Sequence, residues 1–496
     1  SLVATWVANE RMSSPKVSVI VTAHNYAEYL EKCLDSAVEQ TYKDYEIVVV
    51  DDGSTDATPK ILKEYTYEYP NLFTMVRLPG EGLPTAANAG IDAAEGEYVI
   101  RLDADDYFDE NILTVLANFL DANTDVELVY PDYYTFDNGD EIIDHVRLPE
   151  VGEEIKLLNR SPLAAGAMYR KSAWEQLGGY NENLDYQEDY DFWIRFISAF
   201  EVRNVNLPLM YYRQHGDSMS TNLSGRLDAR RSVKQEFVET NLTDDLEDKD
   251  VLAVIPAREE RRVDAPDRVG DILDGRPLAL YELDGRPLIE YTVETALDAE
   301  RIDRVTVSTE SEAIADAARA AGAEVPSLRP KSLAGPHVTL PEVVENHLDV
   351  VAASDTYKPD LVAVLPYVTP LRSAAHVDEA IDTMHIFSVD SVISVEQNKK
   401  FLWQPGKFGL EPLFEERLLR EEKEGLYQEN GALYVVEPQV VRNRSEIIGE
   451  HVGHVLMQNH SSVHVDSWID LVLCERILET MSETGTPVAG LEEVDD

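Results

Sequence analysis

Residues 46–58 read EIVVVDDGSTDAT, and this stretch combines an apolar run with an acidic turn. Its apolar, β-branched start is typical of a parallel strand buried on both faces, and the strand ends where Asp51-Asp52-Gly53 interrupts it. A similar apolar run, VSVIV at Val17–Val21, lies upstream, and Tyr29–Gln40 between the two has the apolar spacing of an amphipathic helix. This strand–helix–strand order predicts a βαβ unit in an α/β fold with a mostly parallel sheet.

The second half of the chain begins with the same pattern. Val251–Ile255 (VLAVI) is another short apolar run, and alternating helix-like and strand-like segments follow it. The polar, charge-dense stretch Asn241–Asp250 precedes it. A chain of 496 residues is also longer than the ~250–300 residues that one hydrophobic core usually supports. We therefore predict two Rossmann-like domains in tandem, residues 1–247 and 248–496.

Composition limits the partners of the chain. It carries 94 acidic against 43 basic residues, a net charge of −51, which excludes a nucleic-acid backbone as a partner. This acidic excess favours a protein of a halophilic organism, because molar salt screens the repulsion; the alternative is an ordinary acidic cytosolic protein. No apolar run is long enough to cross a membrane, and the two cysteines indicate no disulfide framework. We therefore expect a cytoplasmic protein.

Acidic residues cluster where two of the predicted strands end. Asp51 and Asp52 follow one strand, and Asp103, Asp105 and Asp106 follow another, EYVIRL. Ligands of open α/β sheets bind outside the carboxyl ends of the strands. Three carboxylates within four residues repel one another unless a cation lies among them, and Mg²⁺ or Mn²⁺ prefers such oxygen ligands. The alternative interpretation is a solvated acidic loop.

Longer motifs connect the first half to a known family. The four motifs are the segment from VSVIV to DDGSTDAT, GLPTAANAGIDAAEGEYVIRLDADD, GGYNENLDYQEDYDFWIRF and PLMYYRQHGDSMS. In this order, over residues 16–220, they resemble glycosyltransferase family 2, inverting enzymes of GT-A fold. The resemblance implies a domain of nucleotide-diphospho-sugar transferase type and a divalent cation, Mg²⁺ or Mn²⁺.

The resemblance also assigns donor-side roles. Asp52, with Asp51 beside it, would contact the base or ribose of a nucleotide-sugar donor. Asp103 and Asp105 would hold the ribose and a metal-bound diphosphate, so that both are candidate metal ligands. His215 would reach the diphosphate or the metal; a structural role is the alternative for this histidine.

The acceptor side depends on one acidic pair. The resemblance makes Asp189, with Glu188 before it, the general base that takes the proton of the acceptor hydroxyl. The alternative is that this pair only provides the negative charge that a helix N-terminus favours. One departure from the family is that Ala87 stands where an arginine is common, which removes a phosphate contact.

The second half resembles a different family. The segments that carry the resemblance are IPAR at 255–258, GRPLIEYT at 285–292, VSTES at 307–311, TPLR at 369–372 and YQENGALYVV at 427–436. They are similar to the cytidylyltransferases that make CMP-activated nonulosonic acids from CTP. The resemblance implies a second site for triphosphate, sugar and metal, with these residues: Arg258, Arg329, Arg372, Glu429, Asn430 and Asp466.

Several departures weaken this second site. Glu259 and Glu260 follow Arg258 where the family has small residues that let backbone N–H groups surround a triphosphate. Pro366 replaces a glutamine, and His464 replaces a metal-binding aspartate. The pentapeptide DGRPL also occurs twice, at 274–278 and 284–288, next to the predicted phosphate loop. We interpret the domain as degenerate or repurposed, with an active cytidylyltransferase as the alternative.

The sequence therefore predicts a metal-dependent inverting glycosyltransferase that acts in the assembly of cell-surface polysaccharide or glycoprotein glycans. Its partners would be a nucleotide-diphosphate sugar and a glycan or lipid-linked acceptor. A lipid-linked acceptor would require peripheral contact with the inner face of the membrane. The alternatives are a bifunctional or primary cytidylyltransferase, for which CTP is a substrate, and a non-catalytic scaffold.

Overall fold

The computed structural model describes residues 14–148, 161, 163, 166–184, 186–214, 223–243, 249–259, 276–398, 400, 402–406, 409–412 and 426–484. The chain divides into two compact units, Ser1–Val233 and Lys234–Asp496. The stretch predicted as a linker, residues 241–250, thus belongs to the second unit.

The first unit is built around one mixed sheet. In the described residues its strands run in the order β3-β2-β1-β4-β8-β6-β9-β5, with β7 beside β6. The strands are β1 Val17–Ala23, β2 Tyr45–Asp52, β3 Phe73–Leu78, β4 Tyr98–Asp103, β5 Tyr107–Phe108, β6 Leu128–Phe136, β7 Ile142–Val146, β8 Met168–Arg170 and β9 Val202–Arg213. Strands β3, β2, β1 and β4 are mutually parallel, as predicted.

Helices connect these strands and cover the sheet. They are α1 Ala27–Val38, α2 Thr58–Glu68, α3 Leu83–Ala93, α4 Ile112–Ala122, α5 Lys171–Leu177, α6 Glu188–Ala199 and α7 Leu223–Asn241. Helix α1 buries Leu30, Cys33, Leu34 and Ala37, which is the predicted apolar face. Every residue of β1 and β2 is buried, and each fully buried valine or isoleucine contributes ~1.5–3 kcal/mol. The residues of EIVVV therefore lie at the centre of the hydrophobic core.

The strand register brings the acidic motifs to one edge. Thr22 at the end of β1 lies opposite Asp103 of β4, and the next residue, Ala23, lies opposite Asp51 of β2. Because parallel strands end at the same edge of a sheet, the two acidic motifs flank the end of β1.

The second unit contains its own sheet, ordered β13-β10-β14-β18-β15-β19 in the described residues. Its strands are β10 Val251–Pro256, β11 Glu282–Leu283, β12 Arg286–Pro287, β13 Arg304–Ser308, β14 Leu361–Val364, β15 Ser391–Asn398, β16 Trp403–Gly406, β17 Gly409–Pro412, β18 Leu426–Val436 and β19 Val452–Leu456. Its helices are α8 Leu288–Asp298, α9 Glu312–Ala320, α10 Leu340–Asp355, α11 Ala374–Phe387, α12 Pro438–Arg444 and α13 Trp468–Thr484. The predicted α/β class, with mostly parallel sheets in tandem, is confirmed.

The repeated pentapeptide builds related turns. In the second copy Asp284 and Gly285 have φ angles of 49° and 75° and join β11 to β12, as in a two-residue hairpin with both central residues at positive φ. After Pro277 of the first copy, Leu278 begins a short 3₁₀ helix, and after Pro287 of the second, Leu288 begins α8. Both leucines are buried, so each copy anchors the start of a helical turn. Residues 260–275, including the predicted phosphate loop, lie outside the described part of the chain.

Among the described residues, no helix combines the length and the hydropathy that crossing a membrane requires.

Candidate active site

A cavity of about 710 Å³ lies in the first unit, at the strand edge that carries the acidic motifs. Its walls come from the ends of β1, β2 and β4, from the start of α3, and from the residues that open α6. The cavity brings together most of the predicted site residues of this unit, which are Asp52, Asp103, Asp105, Glu188 and Asp189. His215 falls outside the described residues, so its predicted role stays a prediction.

Asp52 holds a tight glycine turn at one end of the cavity. Its Oδ1 accepts hydrogen bonds from the N–H groups of Gly80 and Glu81, at 3.1 and 2.8 Å, and its Oδ2 accepts one from Gly82 at 2.8 Å. Gly80 and Gly82 have φ angles of 98° and 94°, which residues with a Cβ rarely adopt. Asp52 thus shapes the cavity wall, and a donor contact would add to this role.

Asp51 does not line the cavity, because consecutive strand residues point to opposite faces of the sheet. Its side chain is fully buried; Oδ1 accepts a hydrogen bond from the Ser54 N–H at 3.0 Å, and Oδ2 lies 3.4 Å from Arg77 Nε. The side chain therefore supports the turn that follows β2, and the predicted donor contact of Asp51 has no support from this geometry.

The end of β4 presents three carboxylates to the cavity, those of Asp103, Asp105 and Asp106. Burial raises the pKa of Asp106 well above its usual range, and the charges of Asp105 and Asp103 add to the effect. Asp106 Oδ1 accepts a hydrogen bond from the Arg213 N–H at 2.8 Å. Its buried Oδ2 has no hydrogen-bond partner within the described part of the chain.

The carboxylates at the end of β4 can be compared with the ligands that a divalent cation requires. No three acidic, histidine or cysteine side chains of the described residues converge as they do around a bound metal. The chemistry of the donor set nevertheless fits, because Mg²⁺ and Mn²⁺ prefer carboxylate oxygens and Asp103 and Asp105 present them beside the orphaned Oδ2 of Asp106.

Arg101 is a site residue that the sequence reasoning missed. It lies two residues before Asp103 and is only 4% exposed. Its Nε lies 3.1 Å from Asp103 Oδ1, and its Nη1 lies 3.4 Å from Glu188 Oε1. The guanidinium therefore connects the strand-end acids with the acids of α6. The signal was available, because a charged residue inside the otherwise apolar run YVIRL needs a partner when it is buried.

Glu188 and Asp189 open helix α6, where the helix dipole favours negative charge. Glu188 is 6% exposed, and burial raises its pKa to about 7, with the charge of Asp189 adding to the shift and Arg101 opposing it. Burial also raises the pKa of Asp189, and Arg101 and Arg230 oppose that shift. Asp189 keeps part of its surface exposed at the cavity. The pair thus consists of an acid held by Arg101 and an acid that faces the cavity.

The predicted anion contacts of the second unit have internal partners. Arg329 pairs with Glu310 at 2.7 Å and donates to the carbonyl oxygens of Ala257 and Ser308. Arg372 is 3% exposed and donates to protein oxygens, among them Thr292 Oγ1 at 3.0 Å and the carbonyl of Ala432. A phosphate could use these guanidinium groups only if such bonds broke.

The sugar-side residues of the second unit are similarly engaged. Glu429 accepts a hydrogen bond from the Tyr434 hydroxyl at 2.6 Å, and Asn430 donates to Ser462 Oγ at 2.9 Å. His464 Nδ1 lies 3.0 Å from Asp466 Oδ2. Arg258 is close enough to Arg329 to lower its pKa, although burial is the larger cause. In the first unit a cavity unites the predicted acids, whereas here the described residues show mainly internal pairing.

Comparisons with known proteins address the same two regions. The sequence model described as Glycosyl transferase family 2 matches residues 18–177. An uncharacterised glycosyltransferase of Rickettsia typhi is 31% identical over 218 residues, which are 42% of this chain and 67% of that protein. The chain belongs to glycosyltransferase family 2. The chain also contains a segment, residues 277–356, that matches the Cytidylyltransferase model, so the predicted combination of the two types of domain is supported.

Other relatives are much longer than the matched region. A chondroitin synthase of Pasteurella multocida is 30% identical over 229 residues, which are 46% of this chain but 23% of that protein. Several further curated relatives are also covered by this chain over only about a quarter to a third of their length. Among solved structures, S. aureus TarS 1-349 in complex with UDP-GlcNAc is 24% identical, with a TM-score of 0.39 over 45% of this chain and 66% of that chain.

Proposed function

We propose that the first unit is a metal-dependent inverting glycosyltransferase that uses a nucleotide-diphosphate sugar. The observation that carries the proposal is the arrangement of one cavity, which Asp103, Asp105, Glu188 and Asp189 line and in which Arg101 pairs with both Asp103 and Glu188. Asp103 and Asp105 suit the diphosphate side of a donor. The acids of α6 suit the acceptance of a proton from an acceptor hydroxyl.

Asp189 is the general base in this proposal. Its carboxylate takes the proton of the acceptor hydroxyl while that oxygen attacks the anomeric carbon. The bond between the anomeric carbon and the donor diphosphate breaks on the opposite face of the sugar, and the nucleoside diphosphate leaves. One displacement with one base gives an inverted anomeric centre. Partial exposure at the cavity is what distinguishes Asp189 from Glu188 for this task.

Glu188 positions this base. Its side chain is buried against Arg101, which fixes the first turn of α6 relative to β4. Because the same guanidinium pairs with Asp103, it also reduces the repulsion among the acids of the two groups.

Asp103 and Asp105 would hold the divalent cation, Mg²⁺ or Mn²⁺. Such a cation neutralises negative charge that develops on a departing diphosphate. Asp52 and the turn Gly80–Gly82 form the far end of the cavity, where backbone groups at close range suit the nucleoside part of a donor.

We propose that the second unit does not transfer a cytidylyl group. The internal partners of Arg329 and Arg372 support this, as does the acidic residue Glu259 directly after Arg258. The competing function is synthesis of a CMP-nonulosonic acid from CTP, and the match of residues 277–356 to the Cytidylyltransferase model favours it. A scaffold without catalysis is the third candidate.

The cellular role that we propose is assembly of cell-surface polysaccharide or glycoprotein glycans in a halophilic organism. Relatives named chondroitin synthase and hyaluronan synthase support a polymer of the cell surface, and the net charge of −51 supports high intracellular salt. The protein would work in the cytoplasm and contact the membrane peripherally when its acceptor is lipid-linked.

A donor screen tests the proposal. Purified full-length protein in molar KCl with MgCl₂ or MnCl₂ is incubated with UDP-, GDP- and dTDP-sugars, and released nucleoside diphosphate is measured by mass spectrometry. We expect release from at least one donor and its loss when EDTA is added. Release from none of them would refute the proposal. Pyrophosphate release from CTP with a nonulosonic acid would then indicate a cytidylyltransferase, and no product in either assay would indicate a scaffold.

A further inference from the structure

Helix α7 lies outside the segment that matches the family, since that match ends at residue 177. Its N-terminal half nevertheless reaches the site of the first unit. Arg226 lines the cavity, and Arg230 lies one helical turn further along. Residues four apart share a face of a helix, so both arginines lie on the side of α7 that faces the opening of α6.

Arg230 makes a specific contact with the residue that precedes the acidic pair. It is 8% exposed, and its Nε donates a hydrogen bond to Gln187 Oε1 at 3.0 Å. Its guanidinium also lies over the ring of Tyr190, 4.9 Å from the ring centre. A buried guanidinium with a fixed partner and a fixed aromatic face has little freedom to move.

Gln187 has an unusual backbone. Its φ and ψ angles are 65° and 27°, the left-handed conformation that residues other than glycine, asparagine and aspartate seldom adopt. Gln187 is the residue before α6, and its carbonyl oxygen accepts the Asp191 N–H at 3.0 Å. The backbone angles of Gln187 therefore set the direction in which α6 begins, and with it the direction of the side chain two residues later, Asp189.

We propose that Arg230 is a positioning residue of the transferase site, which holds Gln187 in its left-handed conformation and thereby aims Asp189 at the cavity. The inference rests on the proposed function, because it assigns the role of Arg230 through Asp189. It also means that the site extends beyond the family segment and requires the first turns of α7.

The positive charge of Arg230 has a second effect. Charged groups near Asp189 are Arg101 and Asp103 of β4, Glu188 of α6, and Arg226 and Arg230 of α7. Burial raises the pKa of Asp189, and the charges of Arg101 and Arg230 lower it. Loss of the charge of Arg230 should therefore move the acidic limb of the pH profile to higher pH, whereas a change that keeps the charge should not.

The test uses Arg230→Gln, Arg230→Lys and the control Arg231→Gln. Arg231 lies next in the helix and pairs with Asp228 in an exposed contact. Transfer is measured with the donor and cation that the wild type uses. We expect kcat to fall by ~10–100-fold in Arg230→Gln, the loss that misplacement of a catalytic group by ~1 Å produces, with the donor KM nearly unchanged. Arg230→Lys should keep the acidic limb in place but lose part of kcat, and Arg231→Gln should equal the wild type.

A double-mutant cycle separates this role from general stability. Glycine adopts positive φ without strain, so a chain with Gln187→Gly should depend less on Arg230 to keep this conformation. The factor by which Arg230→Lys lowers kcat should therefore be at least ~3-fold smaller in the Gln187→Gly protein than in the wild type. Equal losses in both backgrounds, or a kcat of Arg230→Gln equal to that of Arg231→Gln, would overturn the inference. If the wild type transfers from no donor, the proposed function fails and the inference fails with it; wild-type transfer that is insensitive to Arg230 overturns the inference alone.

Discussion

At the scale of single residues, the two carboxylates that open α6 have different surroundings. Glu188 is buried against Arg101, whereas Asp189 keeps part of its surface at the cavity. Burial raises the pKa values of both, and for Glu188 to about 7. Both carboxyl groups therefore take up protons at higher pH than exposed carboxyl groups, which titrate at about pH 4.

Substitution of each acid should give different results. Asp189→Asn removes the base, so we expect turnover to fall by ~10²–10⁴-fold, with the affinity for donor retained. Glu188→Gln keeps the base and should reduce turnover less. Turnover measured by nucleoside-diphosphate release, with donor affinity by calorimetry, checks both variants. Loss of donor affinity in Asp189→Asn would instead make Asp189 a donor ligand.

The wild-type pH profile should show the raised pKa directly. A base acts in its ionised form, so kcat/KM should fall as the pH drops through the pKa of Asp189, which burial raises above the ordinary range of aspartate. Removing the charge of Glu188 lowers the pKa of its neighbour, so Glu188→Gln should move this limb to lower pH. A profile that is flat from pH 8 to pH 5 would contradict the assignment of the base.

At the residue scale, the acidic motifs identified side chains that the fold brings together, and their catalytic and binding roles stay predictions. Asp52, Asp103, Asp105, Glu188 and Asp189 all line one cavity. Arg101 was missed because the strand YVIRL was interpreted as apolar core. Asp51 was grouped with Asp52, although the alternation of a strand places its side chain on the other face, where it is fully buried.

At the scale of structural elements, the turn after β2 is held to the turn before α3 by close backbone contact. Gly53 has a φ angle of 74°, and a Cβ added there would lie 2.8 Å from the Gly80 nitrogen. Gly178, at the end of α5, has a φ angle of 76° and no atom within 4 Å of an added Cβ. The two glycines thus differ in packing but not in backbone conformation.

Alanine substitutions at Gly53 and Gly178 can therefore be compared with each other. Gly178→Ala should cost ~1–2 kcal/mol of unfolding free energy, the cost of the left-handed conformation alone. Gly53→Ala should cost a further ~1–3 kcal/mol because the methyl group overpacks the turn, and it should weaken donor binding because Gly80 and Gly82 line the cavity. Denaturant unfolding and donor calorimetry measure both effects. Equal stability of the two variants would show that the turn tolerates displacement.

Apolar patterns predicted helix α1 and strands β1, β2, β4 and β10, but not the local structure of the repeated DGRPL. The sequence indicated only that the two copies lie next to the predicted phosphate loop. In the structure both described Pro-Leu pairs begin a helical turn, which depends on tertiary burial of Leu278 and Leu288 that no local pattern reveals.

In the second unit, the predicted anion-binding residues Arg329 and Arg372 already have partners within the protein. Full-length protein titrated with CTP and Mg²⁺ in a calorimeter should therefore show no binding in the micromolar range, because Arg329 and Arg372 would have to give up bonds to Glu310, Thr292 and backbone carbonyls. Micromolar affinity that disappears in Arg258→Gln would contradict this and would make the protein bifunctional.

At the scale of the whole molecule, charge is the dominant property. The net charge of −51 is spread along the chain, and mutual repulsion of this size destabilises a compact state unless salt screens it. The melting temperature should therefore rise steeply from low salt to molar KCl, as measured by circular dichroism or scanning calorimetry. A melting temperature independent of KCl would refute the proposed halophilic origin.

The sequence predicted two α/β units in tandem, because a buried apolar run begins each of them. The boundary predicted between residues 247 and 248 stays a prediction. The helix Leu223–Asn241 was not predicted, and the change of unit falls within it, after Val233. Only the folded chain shows which residues such a helix contacts.

We predict that sugar transfer takes place at the acidic residues of the first unit. Asp105→Asn and Asp466→Asn remove one carboxylate each, the first from the cavity of the first unit and the second from the pair with His464 in the second unit. The most direct measurement is the rate of transfer of both variants with the wild-type donor and cation in molar KCl. We predict loss of transfer in Asp105→Asn, with its melting temperature retained, and an unchanged rate in Asp466→Asn. A normal rate in Asp105→Asn together with loss in Asp466→Asn would contradict the account.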